Sequence, residues 1–356
     1  MNYKVLFVFN ALPQGGAERQ AINLANGLNK LEIPVAFCLF GNKPIFYQNL
    51  IDKYKICIYQ NEQKAIKDKF TFIINTVDDF KPDLIITFMP HNGLLVRSLR
   101  FFKFASIPII YGIRNTYKNI FSWQYIADLI LSFSSYNVYN SPASLDQMLV
   151  KNNSYYIPNG YDNNWKISEL KNKCNISLKK FAIIGRVLDQ KNQIEIIEAF
   201  NRIKIKGFEN FTLDLYGDLP CVDYEKKVKS LIIKYNLENH INIYGKVNNV
   251  ELIYSSVSNI IIPSKREGCP NVLFESLLTK RLVIMSTKAN SGKFVNNKNC
   301  LLYNNETELD DFLIRILNDT NFDHIVESGY NAVKQKYSMD LMVSSYNNLI
   351  KSILNK

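Results

Sequence analysis

Short apolar runs alternate with amphipathic stretches along the first part of the chain. The runs are largely apolar, as in buried strands, and the last of them, Asn137–Asn140, is weaker. The amphipathic stretch Ala17–Leu28 predicts a helix. The predicted strands are Val5–Phe9, Val35–Leu39, Asp83–Phe88, Pro108–Tyr111 and Asn137–Asn140. This alternation predicts a parallel, doubly wound α/β sheet.

The pattern stops over residues 161–180, which are polar and rich in Asn and Lys, and then resumes. The later predicted strands are Phe181–Ile184, Phe211–Tyr216, Ile241–Tyr244, Asn259–Ile262 and Leu282–Met285. A last amphipathic segment, Met339–Ile353, predicts a helix. We therefore expect one domain over residues 1–165, a second doubly wound domain over 166–336, and a final helical segment over 337–356.

Composition narrows the possible partners. With 356 residues and 47% hydrophobic content, the chain can form two packed cores. The net charge of +11 suits a phosphorylated substrate or an anionic membrane surface, and no nucleic-acid recognition motif accompanies it. No apolar run reaches the ~18 residues of a membrane span, so we expect any membrane contact to be peripheral.

The chain has six cysteines and three histidines, and they are scattered. Their spacing fits neither a disulfide framework nor a zinc site. The short apolar run Val5–Phe9 is a first strand rather than a secretory signal. We therefore expect a cytoplasmic protein with free thiols, no metal and no cofactor.

Two carboxylates flank the segment that follows the predicted strand Asn259–Ile262. Glu267 lies in the loop, and Glu275 lies about two turns into a helix predicted to open at Pro270. The N–H groups of a helix start can bind an anion, and carboxylates accept hydrogen bonds from hydroxyls. The arrangement suits a sugar nucleotide, although two glutamates on a solvated helix start are also common.

Two further loops could contribute to such a site. Arg186 follows Gly185 at the end of a predicted strand, and Lys191 precedes the next helix, so the two cations could clamp a diphosphate. Gly15 and Gly16 join the first strand to the first helix and would let the backbone approach a ligand closely. A solvated loop and a simple tight turn are the respective alternatives.

Five short motifs occur in a defined order along the chain: Gly15–Glu18, Ile157–Asp162, Gly185-Arg186 with Lys191-Asn192, Gly245–Val247, and Glu267 with Glu275. Together they resemble the family-4 glycosyltransferases of the GT-B fold, over nearly the whole chain. The resemblance implies two Rossmann-like domains facing across a cleft, with the last helix crossing back to the first domain. It also implies metal-independent, retaining sugar transfer from a nucleotide donor, most naturally a UDP-sugar.

The resemblance assigns roles to individual positions. Arg186 and Lys191 would bind the diphosphate and stabilise the leaving group. Glu267 would hold the donor sugar, Glu275 would accept hydrogen bonds from the ribose, and the β-phosphate itself would help deprotonate the acceptor. Further donor contacts are implied for Gly15, Gly16, Gly185, Lys246, Val247, Cys269, Pro270, Asn271, Val272 and Leu273.

The sequence departs from the family pattern at two places. Many relatives have a histidine after the strand that matches Pro108–Tyr111, where this chain has Arg114-Asn115, which could bind phosphate or acceptor. His91 is either a second acceptor contact or a structural histidine. The loop 290–301, which usually shapes sugar preference, has no acidic residue, so the transferred sugar is not inferred.

The segment 94–104 combines cations with large apolar side chains, and no acidic residue occurs between Asp83 and Asp128. This composition suits either an anionic bilayer or an ordinary helix packed on its sheet. The candidate membrane residues are Arg97, Arg100, Phe101, Phe102, Lys103 and Phe104.

The resemblance favours peripheral association with the inner face of the cytoplasmic membrane. It also favours an acceptor that is a lipid-linked glycan, lipopolysaccharide or capsule. The alternatives are a UDP-sugar 2-epimerase of the same fold and a non-catalytic, membrane-docked subunit.

Overall fold

The computed structural model describes residues 3–61, 65–99, 106–114, 116–117, 119–133, 135–161, 179–247, 250–290 and 294–355. The chain divides into two compact units. Unit 1 comprises Met1–Gly160 together with Tyr337–Lys356, and unit 2 comprises Tyr161–Lys336. The division after Gly160 lies close to the boundary predicted at residue 165.

Unit 1 contains a seven-stranded parallel sheet in the order β3-β2-β1-β4-β5-β6-β7. Its strands are β1 (Val5–Phe9), β2 (Val35–Leu39), β3 (Cys57–Gln60), β4 (Leu84–Phe88), β5 (Ile109–Ile113), β6 (Tyr136–Tyr139) and β7 (Ser154–Tyr156). Its connecting helices are α1 (Gly16–Lys30), α2 (Gln48–Tyr54), α3 (Ile66–Phe80), α4 (Pro90–Leu99), α5 (Trp123–Ser132) and α6 (Pro142–Asp146).

Unit 2 contains a six-stranded parallel sheet in the order β10-β9-β8-β11-β12-β13. Its strands are β8 (Lys180–Ile184), β9 (Thr212–Tyr216), β10 (Ile241–Gly245), β11 (Asn259–Ile262), β12 (Leu282–Ser286) and β13 (Leu301–Tyr303). Its helices are α7 (Gln193–Ile205), α8 (Val222–Lys234), α9 (Val250–Ser256), α10 (Asn271–Leu278), α11 (Glu306–Leu317) and α12 (Asp323–Lys336), with a 3-10 turn at Asp189–Lys191.

Most of the strands that the sequence predicts are buried on both faces; β10, an edge strand with exposed Asn242 and Tyr244, is the exception. Every residue of β1, β2, β4 and β5 is buried, as is typical of parallel sheets covered by helices. The sequence analysis missed β3 and β7, which are edge strands with half-exposed residues, and β13, which is three residues long. Such strands have a weak apolar signal because one face or one edge remains in water.

The last helix, α13 (Met339–Leu354), belongs to unit 1, where Met342, Tyr346 and Ile350 are buried in the core. Two glycines make this packing possible. A Cβ atom at Gly27 of α1 would overlap the Val343 side chain, and one at Gly160 would lie 2.9 Å from the Met339 Cα. Close approach therefore requires glycine at both positions.

In the described part of the chain, no helix has both the length and the apolar character that crossing a bilayer requires. The segment predicted as a membrane candidate begins inside α4, which ends at Leu99. Arg97 lies in the last turn of α4, and its guanidinium donates a hydrogen bond to the Ile130 carbonyl of α5. Arg100, Phe101, Phe102, Lys103 and Phe104 lie outside the described residues.

Candidate active site

Three glycines line the carboxyl-terminal edge of the sheet in unit 2. Gly185 follows β8, Gly217 follows β9 and Gly245 ends β10, all with positive φ (+154°, +146° and +69°). The Gly217 N–H donates a hydrogen bond to the Gly245 carbonyl at 2.7 Å, and a Cβ atom at Gly217 would overlap the Gly185 carbonyl oxygen. The loops that follow β8, β9 and β10 therefore pack backbone against backbone along this edge, where ligands of such sheets bind.

Gly217 was not among the residues proposed from the sequence. It follows its strand in the same way as Gly185 does, so a signal was present.

Lys191 and Glu267 form an ion pair at this edge. The Lys191 stem lies over Gly185, with its Cε 3.5 Å from the position that a glycine Cβ would take. The Lys191 Nζ atom is 2.5 Å from the Glu267 Oε1 atom, and the side chains are 23% and 12% exposed. The fold thus brings together two candidates that are 76 residues apart in the sequence.

The other two cationic candidates lie on the surface. Arg186 is exposed, while its backbone carbonyl accepts a hydrogen bond from the buried Gln193 amide at 3.0 Å. Lys246 is exposed and Val247 is half-buried, directly after Gly245. The loop backbone is therefore fixed from inside, and the Arg186 guanidinium reaches solvent.

The start of α10 is held by a residue of the Ile157–Asp162 motif. The Tyr161 hydroxyl donates to the Asn271 Oδ1 atom at 3.0 Å, and its ring stacks on Phe274 at 4.3 Å between centroids. Pro270 precedes the helix in an extended conformation, and no side chain caps the helix at this residue. Sequence reasoning quoted Tyr161 only as part of a motif and missed this positioning role.

The remaining donor candidates line the same helix at different depths. Glu275 is 3% exposed, and its Oε2 atom accepts a hydrogen bond from the buried Tyr254 hydroxyl at 2.9 Å. Pro270 and Leu273 are buried, and Cys269, Asn271 and Val272 are half-buried. Glu267 is therefore the more accessible carboxylate, and Glu275 lies beneath the helix surface.

A cavity of about 50 Å³ joins four of these candidates. Its walls include Lys191, Pro270, Asn271 and Val272 together with the ends of β8 and β11. A larger cavity of about 430 Å³ lies at the opposite edge of the sheet, lined by the first residues of β11 and β12, Asn259 and Leu282. The smaller cavity lies at the carboxyl-terminal strand ends, where ligands of open α/β sheets bind.

A separate cavity of about 220 Å³ adjoins the amino end of α7 and was not predicted. Lys265, Lys288 and Glu195 line it together with Tyr303. The Glu195 carboxylate accepts a hydrogen bond from the Tyr303 hydroxyl at 3.0 Å, and burial raises the pKa of Glu195 above its usual value. The carboxylate is thus part of a hydrogen-bonded wall.

In unit 1, the predicted glycine loop lies beside a carboxylate. Gly15 precedes α1 in an extended conformation, and Gly16 is the first helical residue. The Glu18 side chain folds back so closely that a Cβ atom at Gly15 would overlap it, and burial raises the pKa of Glu18. The donor contact inferred for these glycines stays a prediction.

Arg114 is tied into the packing of unit 1. Its guanidinium donates to the Asn159 Oδ1 atom at 2.9 Å and to the Tyr346 hydroxyl at 2.8 Å, and it lies 4.0 Å above the centre of the Phe88 ring. These contacts connect the end of β5 with α13. They give Arg114 a structural role, while its acceptor role stays a prediction; Asn115 lies outside the described residues.

His91 is an exposed residue in the first turn of α4, and partial burial lowers the pKa of its imidazole. The turn before it is strained, since Met89 has a φ of +74°. The buried Asn92 amide secures that turn by accepting from the Asn10 N–H at 3.1 Å and donating to the Phe88 carbonyl at 2.8 Å. The acceptor contact expected for His91 stays a prediction.

Among the described residues, no three His, Cys, Asp or Glu side chains are grouped as ligands of a metal ion would be. The expectation that the chain works without a metal remains a prediction, as does the absence of a cofactor.

Comparison with known proteins identifies the second half of the chain. Residues 167–332 match the family described as glycosyl transferases group 1. These residues are a group 1 glycosyltransferase domain. This domain contains the three edge glycines (Gly185, Gly217 and Gly245), the Lys191–Glu267 pair and the start of α10.

Two curated relatives are glycosyltransferases as well. One is an uncharacterized glycosyltransferase of Methanocaldococcus jannaschii, 26% identical over 68% of this chain and 66% of that protein. The other, from Campylobacter jejuni, is 25% identical over 90% of both chains. It is named GalNAc-alpha-(1->4)-GalNAc-alpha-(1->3)-diNAcBac-PP-undecaprenol alpha-1,4-N-acetyl-D-galactosaminyltransferase.

The similarity in fold extends over the whole chain. The crystal structure of HepE from Anabaena, in complex with UDP and glucose, superposes with a TM-score of 0.84 over 99% of this chain and 100% of that one, at 18% identity. The predicted fold class, two doubly wound Rossmann-like domains of the GT-B type, is confirmed. The glycosyltransferase prediction is confirmed at the level of the enzyme class.

Proposed function

We propose that this glycosyltransferase is a retaining, metal-independent enzyme that moves a hexosyl group from a UDP-sugar to a lipid-linked glycan, lipopolysaccharide or capsule acceptor. The observation that carries the proposal is the Lys191–Glu267 pair, which lies beside the start of α10 inside a group 1 glycosyltransferase domain. A sugar diphosphate requires a cation for its phosphates and a carboxylate that accepts hydrogen bonds from the sugar hydroxyls, and the pair supplies both at one strand edge.

The donor would bind along the carboxyl edge of the sheet in unit 2. Its diphosphate would meet the Lys191 ammonium and the exposed Arg186 guanidinium beside Gly185. The base would lie near Lys246 and Val247, and the ribose near Glu275. UDP is favoured as the nucleotide because the structural neighbour HepE binds it.

The transfer would proceed with charge stabilisation at the leaving group. As the acceptor oxygen bonds to the anomeric carbon, the bond between that carbon and the β-phosphate oxygen breaks, and the β-phosphate takes the acceptor proton. Lys191 and Arg186 would stabilise the negative charge that develops on UDP, which is the work that a metal ion performs in other transferases. Glu267 would accept hydrogen bonds from the sugar and hold it towards the acceptor.

The acceptor proposal rests on the relatives and on charge. The Campylobacter relative is named for a substrate on a diphosphate-linked undecaprenol. The chain carries a net charge of +11, which would attract such a diphosphate and an anionic membrane surface. We therefore place the enzyme at the inner face of the cytoplasmic membrane, bound peripherally.

Calorimetric titration of UDP, GDP and ADP without metal tests the donor site. We expect UDP to bind most tightly and Lys191→Met to weaken it by roughly 30-fold, as loss of one charge-assisted hydrogen bond would. Lys265→Met is the matched control, because Lys265 lies at the same edge but pairs with the exposed Asp189 at 2.6 Å. Absence of nucleotide binding would refute the donor assignment.

Product analysis tests the reaction. Incubation of a UDP-sugar with a lipid-linked acceptor should give a glycoside of unchanged anomeric configuration, and its yield should not change when a chelator is added. A 2-epimer of the UDP-sugar, formed without acceptor, would instead identify an epimerase. An inverted linkage or a loss of activity with the chelator would contradict the proposed mechanism.

A further inference from the structure

Helix α5 exposes its most apolar side chains and buries its one charged residue. Trp123, Ile126 and Ile130 are 57%, 46% and 46% exposed, and their spacing places them on one face of the helix. Asp128, on the opposite face, is only 1% exposed. The buried face also holds Tyr125 and Leu131, so α5 is apolar on both faces and its outward face is suited to an apolar environment.

The orientation of α5 is fixed by hydrogen bonds to the buried carboxylate. The Tyr111 hydroxyl of β5 donates to one oxygen of Asp128, and the Tyr117 hydroxyl donates to the other. Tyr117 also packs edge-on against Tyr125 of α5, with ring centroids 5.1 Å apart. Rotation of α5 would leave the Asp128 carboxylate buried without these partners, at considerable cost.

The exposed side chains continue beyond the helix at both ends. We call this set the apolar α5 face; it comprises Ile120, Phe121, Trp123, Ile126, Ile130 and Phe133. Phe121 and Phe133 are 79% and 70% exposed, and Ile120 is 54% exposed. Six exposed large apolar side chains within residues 120–133 are more than ordinary surface variation and indicate an interaction site.

Charge decides between the possible occupants. The Arg97 guanidinium lies at α5 itself, where it donates to the Ile130 carbonyl, and the sequence has no acidic residue from 84 to 127. A second copy of the chain would bring the same excess of positive charge to its own face, which disfavours self-association. An anionic bilayer supplies both an apolar interior and negative headgroups, and Trp and Phe side chains are common in segments that bind at its interface.

We propose that the apolar α5 face inserts into the interface of an anionic bilayer. The proposal rests on the proposed function, in which the acceptor is carried by a lipid, and it names the surface that would hold unit 1 on the membrane. Trp123 and Phe121 would lie among the headgroups and upper acyl chains, and Ile126 and Ile130 would contact the apolar layer beneath them. The hydrogen bonds from Tyr111 and Tyr117 to the buried Asp128 hold this face outward before the protein reaches the membrane.

The fluorescence of Trp123 reports insertion directly. The chain has two tryptophans, so full-length protein with Trp165→Phe leaves Trp123 as the single reporter. Titration with phosphatidylglycerol-containing vesicles should shift its emission to shorter wavelength, and lipids brominated in the upper acyl chain should quench it. Vesicles of phosphatidylcholine alone should bind more weakly, and added salt should weaken binding to the anionic vesicles.

Side-chain replacement tests which surface is responsible. Ile126→Ser with Ile130→Ser should lower vesicle partitioning by roughly tenfold or more, since two aliphatic side chains lose their burial. The matched control is Ile233→Ser on α8 of unit 2, where the isoleucine is 62% exposed and partitioning should not change. Circular dichroism of each variant establishes that the fold is retained.

Two results would overturn the inference. One is equal partitioning of the wild-type and the doubly substituted protein. The other is a dimer, detected by light scattering, that the double substitution dissociates without changing vesicle binding, since a second copy would then cover the face. UDP binding, measured on the same proteins, separates the two proposals: intact UDP binding without partitioning refutes only the membrane face, and partitioning without UDP binding refutes only the proposed function.

Discussion

Replacing Glu267 by glutamine should tighten UDP binding while it lowers sugar transfer. The Glu267 carboxylate lies 2.5 Å from the Lys191 ammonium and is 12% exposed. A diphosphate that binds must therefore share the Lys191 ammonium with the Glu267 carboxylate, and the negative charge of that carboxylate repels it. Glutamine keeps the size and a hydrogen-bonding oxygen but removes the charge.

The magnitude follows from the charges. Two unit charges about 6 Å apart attract or repel by about 3 kcal/mol at an effective dielectric constant near 20. Solvent access to the pair, and the pairing of Glu267 with Lys191, reduce the net penalty on the diphosphate to about 1 kcal/mol. We therefore expect Glu267→Gln to lower the UDP dissociation constant by about fivefold. Transfer should fall by roughly 100-fold, because the donor sugar loses a charged hydrogen-bond acceptor.

Calorimetry with UDP and a transfer assay with the UDP-sugar measure the two effects on one protein. Asp189→Asn is the matched control, because this carboxylate also pairs with a lysine at 2.6 Å but is 76% exposed, so neither value should change. If Glu267→Gln weakened UDP binding as strongly as Lys191→Met does, the reasoning would be refuted. Glu267 would then serve to hold Lys191 in place rather than to compete with the phosphate.

Two further predictions concern positions that the fold constrains. Burial raises the pKa of Asp128 to about 6, so the folded protein binds this proton more tightly than the unfolded chain does. This group's contribution to stability is full below about pH 4 and is lost as the pH rises through about 6, a change of roughly 3 kcal/mol. Urea unfolding of wild-type protein and Asp128→Asn from pH 4 to 8, followed by tryptophan emission, should show this difference; parallel pH profiles would contradict it. Gly217→Ala should destabilise the protein by roughly 3 kcal/mol, because the new Cβ overlaps the Gly185 carbonyl and φ is +146°. Thermal unfolding measures the loss, and an unchanged midpoint temperature would show that the backbone around Gly217 can relax.

The apolar strands and the order of the motifs were readable from the sequence. Runs such as Val5–Phe9 and Asn259–Ile262 are buried on both faces, and their composition alone identifies them. The carboxyl ends of parallel strands meet at one edge, so the sequence placed the Lys191 and Glu267 loops on the same edge, while the pairing of β8 with β11 came from the structure. Short edge strands such as β7 escaped detection because they bury too little apolar surface to leave a pattern.

The sequence by itself determined that the chain forms two parallel α/β domains and that a cation and two carboxylates follow strands of the second sheet at one edge. It could not rank those carboxylates, because accessibility depends on packing: Glu267 meets Lys191 near the surface, whereas Glu275 lies buried against Tyr254. It also could not reveal that Arg114 braces α13, or that α5 turns its isoleucines outward. A local pattern records which side chains are apolar, but only the tertiary structure decides which of them find a partner, since contacts join residues that are distant along the chain.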